Sequence, residues 1–80
     1  MGAQAMAAQL PLAMVHEGES VHVRRVRGNE QMRRHLENLG FVEGAEVRVV
    51  SQSGASGTIV SVKGSQLGVD RATSMHIYTV

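Results

Sequence analysis

Four histidines are the residues of this 80-residue chain whose chemistry first invites a functional reading. A neutral imidazole is the commonest metal ligand, and Met14-x-His16 sets a thioether two residues from one of them. A defined metal site needs converging ligands, with His, Cys or carboxylate at a characteristic spacing. His16, His22, His35 and His76 are instead scattered, and the chain contains no Cys. The spacing therefore predicts no native metal centre. His16, His22 and His76 remain weak candidates, better suited to capturing adventitious zinc or nickel. His35 reads as a partly exposed helix residue, and His22 as an outward residue between inward Val21 and Val23. Serines are plentiful, but none sits in a nucleophile motif, and no paired carboxylates share a rigid face. The glycine-rich tip Gly54–Gly57 lacks a Lys and a following helix, so it is no phosphate loop. The chain reads as non-enzymatic, with no cofactor.

Arginine is the second chemistry on offer. Arg24, Arg25, Arg27, Arg33 and Arg34 crowd one stretch, with Glu30, Glu37 and Glu43 interspersed. Such a run is either a solvated, self-balanced face or a basic patch facing an acidic protein surface or anionic lipid. Nucleic acid is disfavoured. The formal net charge is only +1, and one Phe, one Tyr and no Trp cannot make a stacking platform. Immediately after the arginines, Phe41 reads as a core plug, while Val42 projects beside glycines where an exposed apolar residue suits docking. The candidate partner-binding set is thus Val42, Arg33, Arg34, Phe41 and Glu43.

The element that must position these residues is Asn29–Gly44. Asn29 can accept from the free N–H groups of a first helical turn, and Glu30 complements the positive end of the dipole. Met32, Leu36 and Leu39 fall on one stripe. Gly40 then supplies a left-handed residue, making Leu36 and Phe41 the hydrophobic pair of a Schellman ending. Around this helix the pattern is β. Leu12–His16 reads as a first strand with Leu12 and Met14 on one side. Ser20–Arg27 alternates until its parity slips near Arg24-Arg25, which predicts a bulge. Strands follow at Ala45–Val50, Thr58–Lys63 and Leu67–Val69, with Ser51–Gly57 as a hairpin tip and Gly64-Ser65 as a tight reversal. A single helical turn at Arg71–His76, with Ala72 and Met75 three apart, precedes a last strand Ile77–Val80. The fold class is mostly β: a small, partly open barrel with one inserted α-helix and a short C-terminal helical turn. Its expected core is Val21, Val23, Met32, Leu36, Leu39, Phe41, Val47, Val49, Val60, Val62, Leu67, Val69 and Ile77.

Length allows one small domain. Residues 1–10, Ala- and Gln-rich, are expected to be a frayed or weakly helical tail, leaving 11–80 as the folded unit. They carry neither a secretory signal nor the myristoylation pattern, since Met6 stands where Ser or Thr is wanted. No apolar run approaches a membrane span, and a cytoplasmic location is expected.

In order, LAMVHEGES, LGFVEG followed by AEVRVV, VKGSQLGVD and RATSMHIYTV resemble the FeoA family, small accessory proteins of bacterial ferrous-iron uptake. The resemblance covers about residues 11–80. It implies an SH3-like barrel with an inserted helix, and a non-catalytic adaptor that docks to the GTP-hydrolysing ferrous-iron permease FeoB. Contact with the membrane is then expected only through that partner, and homo-oligomerisation stays open. The same module occurs as the C-terminal domain of DtxR-like metal-dependent regulators. No winged-helix domain precedes it here, which favours the free-standing protein. A regulator domain and a nucleic-acid-binding SH3-like module are the alternatives.

Overall fold

A computed structural model describes residues 9–53 and 57–80. The expected tail falls largely on residues 1–8, outside the described residues, as does most of the glycine-rich tip at 54–56. Leu10 does not belong to a tail. It opens strand β1 (Leu10–Pro11), pairing with Thr79 near the other end of the chain.

The chain continues through a 3₁₀ turn (Leu12–Met14), β2 (Ser20–Val26), α1 (Glu30–Asn38), β3 (Glu46–Gln52), β4 (Thr58–Val62), β5 (Ser65–Val69), α2 (Arg71–Ser74) and β6 (Ile77–Thr79). The strands make one antiparallel sheet in the order β1-β6-β2-β3-β4-β5. The outermost strands β1 and β5 do not pair, so the sheet curls around the core without closing.

Helix α1 follows its sequence signals closely. The Asn29 Oδ1 accepts from the Met32 N–H at 2.8 Å, satisfying one of the free first-turn donors. At the far end Gly40 takes φ +110°, Gly40 N–H donates to Glu37 O and Phe41 N–H donates to Leu36 O. Those two bonds define a Schellman ending. Leu36 and Phe41 are both fully buried in the core that they share with Val23, Val47, Val49, Val60, Val62, Val69 and Ile77. Val21, Met32 and Leu67 pack half-buried against it. Leu39, expected in the core, is 39% exposed. It is the C-cap, and the Gly40 reversal turns Phe41 inward in its place.

The N-terminal stretch departs from expectation because its period is three rather than two. Leu12–Met14 is a 3₁₀ turn, in which side chains three apart eclipse. Leu12 and Val15 are therefore inside, and Met14 is out at 53% exposure. One side chain from across the fold holds this turn. The Gln52 amide donates to Val15 O at 2.7 Å and accepts from Thr58 Oγ1 at 2.7 Å, while the Gln52 N–H donates to Glu17 Oε2.

Two turns also differ in detail. The β4–β5 reversal is Lys63-Gly64 rather than Gly64-Ser65. Both residues have positive φ (52° and 81°), as a type I′ hairpin turn requires. In the turn at Arg71–Ser74 the buried residue is Ser74, whose hydroxyl donates to Arg71 O, whereas Ala72 and Met75 are exposed. Asp70 caps this turn. Hydrogen bonding from Thr73, side chain first and backbone N–H with it, holds the Asp70 carboxyl below the ordinary range.

Leu36 joins the helix to the sheet, so its truncation tests the fold. Leu36→Ala is expected to cost about 2–5 kcal/mol, much of the stability of so small a domain. A thermal melt within a degree or two of the wild type would show that α1 does not rest on the barrel.

Candidate docking site

The parity slip in β2 decides where the arginines go. The pairing of β2 with β6 runs Val23↔Thr79, then Arg25↔Tyr78, so Arg24 is the extra residue of a bulge. Val23 is fixed by two bonds to the helix-exit loop: its N–H donates to Ala45 O, and its carbonyl accepts from Gly44 N–H. Beside it, Arg24 reaches Glu43 at 3.9 Å. Arg34 goes elsewhere, pairing with Glu30 one turn back along α1 at 3.0 Å. Both pairs lie among exposed side chains and contribute roughly 0–1 kcal/mol each. Arg25, Arg27 and Arg33 form no ion pair among the described residues.

Between the bulge and α1 lies a cleft of about 160 Å³. Arg24, Arg25 and Arg33 line it with Glu37 and Glu43, over a floor that includes Val23 and Phe41. The structure therefore brings Arg33, Glu43 and Phe41 together and leaves Arg34 outside. Phe41 is completely buried and presents no surface to a partner. Its part is to shape the cleft floor. Val42 is half-buried rather than projecting, with its N–H on Gly40 O and its carbonyl accepting from Ala45 N–H. It sits next to the cleft in the chain but does not line it. Mixed charges around a small apolar floor suit a polar, transient protein contact.

The histidines are kept apart. His16 lies in a shallow hollow with Gln52 and Arg71, His35 in another with Leu39 and Asp70, and His76 beside Arg27 and Tyr78. His22 is exposed on β2 opposite Glu46. Among the described residues no three His, Cys, Asp or Glu side chains converge as metal ligands would. Sequence reasoning did not find the role of Gln52, or the neighbourhood of Tyr78. The Arg27 guanidinium lies over that ring, 5.9 Å from its centroid, and only the β2–β6 register brings the two together.

The FeoA domain family model matches residues 10–79. The chain belongs to the FeoA family. Among curated proteins none matches the chain. Of solved structures, an iron uptake regulatory protein (FeoA) superposes with TM-score 0.84 at 21% identity, over 90% of this chain and 96% of that one. FeoA of Stenotrophomonas maltophilia, solved with zinc and described as a prokaryotic SH3-domain protein, superposes with TM-score 0.76 at 25% identity, over 92% and 91%. A manganese-dependent transcriptional repressor matches with TM-score 0.82 at 19% identity, over 90% of this chain but only 41% of the repressor. The FeoA fold here is the open, SH3-like antiparallel barrel these likenesses share. No helix among the described residues is long and apolar enough to cross a membrane.

For this FeoA domain, separated histidines imply weak metal binding. Ferrous iron titrated anaerobically into the protein should give no stoichiometric heat at micromolar concentration. A tight site of one iron per chain that disappears in His16→Ala or His76→Ala would contradict that expectation.

Proposed function

We propose that this protein is a non-catalytic adaptor of ferrous-iron uptake, docking in the cytoplasm to the soluble part of the ferrous-iron permease and tuning transport. The observation that carries the reading is the FeoA family match across residues 10–79. FeoA of S. maltophilia has itself been put forward as a bacterial ferrous-iron transport activating factor, which agrees with it. The cleft between the β2 bulge and α1 is the docking surface in this reading. Arg33 has no ion-pair partner of its own among the described residues and borders an apolar floor. A partner carboxylate can meet it without first displacing an internal one. Val42, in the adjoining loop, supplies the apolar contact whose desolvation slows dissociation. Arg34, held by Glu30, contributes mainly to long-range steering. Such an interface is small, and micromolar affinity suits a regulator that must come and go.

A regulator-domain reading draws on the repressor likeness, but this chain spans only 41% of that repressor against 96% of the FeoA structure. The two readings separate in a co-purification. The tagged protein is expressed with a ferrous-iron permease, with and without nuclease, as wild type, Val42→Asp and Arg33→Glu. The permease should be recovered with the wild type irrespective of nuclease and lost with both variants, each first shown to melt like the wild type. Recovery of the permease by both folded variants would move the docking surface elsewhere. Recovery of nucleic acid alone would overturn the adaptor.

A further inference from the structure

The β2–β6 face carries a second surface, which shares only Arg25 with the rim of the docking cleft. In β6, Ile77 and Thr79 point into the core, so Tyr78 points out. Arg25 is its cross-strand partner. The register continues to Arg27, whose N–H donates to His76 O, and Arg27 stacks over the Tyr78 ring. Tyr78 is therefore flanked on one face by two exposed arginines and His76. His22 extends the same row, bonded to Val80 through both backbone groups. Neither arginine has an acidic partner among the described residues. The nearest acid in the strand register is Glu46, opposite His22 at the far end. Apolar side chains border this basic face: Met75 is 39% exposed beside Tyr78, and Val80, bonded to His22 at the end of the row, is 48% exposed.

Unpaired arginines, one amphipathic aromatic ring and exposed aliphatic residues on one sheet face are the makings of a membrane-interface contact. We infer that the outer face of β6–β2 rests on an anionic lipid bilayer, with Arg25 and Arg27 against headgroup phosphates and Tyr78, Met75 and Val80 at headgroup depth. A nucleic acid fits less well. The net charge of +1 gives little attraction to a polyanion, and a phosphate backbone offers Met75 and Val80 nothing to bury against. The contact is independent of the permease, and would hold an adaptor in the plane where a membrane-embedded partner presents its soluble part.

The test is co-sedimentation of the full chain with vesicles of phosphatidylcholine, with and without phosphatidylglycerol, at low and high salt. Binding should need phosphatidylglycerol and weaken in high salt. It should fall about fivefold for each arginine lost, roughly 30-fold in Arg25→Gln/Arg27→Gln. The charge-keeping pair Arg25→Lys/Arg27→Lys should retain most of it, and Arg33→Gln/Arg34→Gln, which removes equal charge from α1, should bind like the wild type. Equal loss in the Arg33/Arg34 pair would reduce the effect to net charge and overturn the assignment to this face. So would absence of binding to anionic vesicles, or capture of single-stranded DNA in their place. Because the vesicles hold no protein, failure here leaves the permease co-purification standing, and the converse.

Discussion

The cleft beside the β2 bulge depends on the helix exit, where Gly40 reverses the chain and Phe41 enters the core. The Phe41 N–H on Leu36 O ties the end of α1 to the start of the next segment. Burial of both side chains then ties that junction to the barrel. With Phe41 fixed, the residues that follow have little freedom. Gly44 and Ala45 must run beside Val23, and Glu43 is left at the rim of the cleft facing Arg24. Burying two large apolar side chains is worth several kcal/mol, far more than the exposed ion pairs around the rim. The rim charges can therefore be rearranged by a partner without loosening the floor beneath them.

A second constraint secures the opposite side. Gln52 reaches the carbonyl of Val15 with its amide and accepts from Thr58, tying the N-terminal 3₁₀ turn to the β3–β4 hairpin. Gly57 closes that hairpin against β5. A Cβ there would fall 2.5 Å from Val69 O, at a φ of +113°. The bonds from Gln52 to Glu17 and Val15 connect residues 35 and 37 apart in sequence, which helps a sheet with unpaired outer strands keep a single arrangement.

What was legible in the sequence was what local chemistry decides. Asn29, Gly40 and the Leu36–Phe41 pair announce the helix and its two ends because capping acts within five residues. The parity slip at Arg24-Arg25 announces the bulge for the same reason. Leu39 was misplaced because a periodic stripe carries no information on which turn ends the buried face. Leu12–His16 reads as a strand of period two because its apolar residues are too few to distinguish a strand from a 3₁₀ turn. The arginine run looked like one patch. The bulge, the i,i+4 pair with Glu30 and the β2–β6 register divide it into three surroundings, and the register depends on β6, some fifty residues on in the chain. Of the residues expected at a docking surface, Phe41 is foundation rather than surface. Arg33 and Glu43 do share a cleft, though nothing in their spacing stated it.

The central claim is that the cleft between the β2 bulge and α1 is where the partner binds. Hydrogen–deuterium exchange of the protein, free and with the permease in detergent, reads that surface at the backbone. The account predicts slowed exchange at Arg24–Val26, in α1 around Arg33–Glu37 and at Val42–Glu43, with little change in β4 and β5. Protection confined to β4 and β5, or none anywhere in a complex shown to have formed, would contradict it.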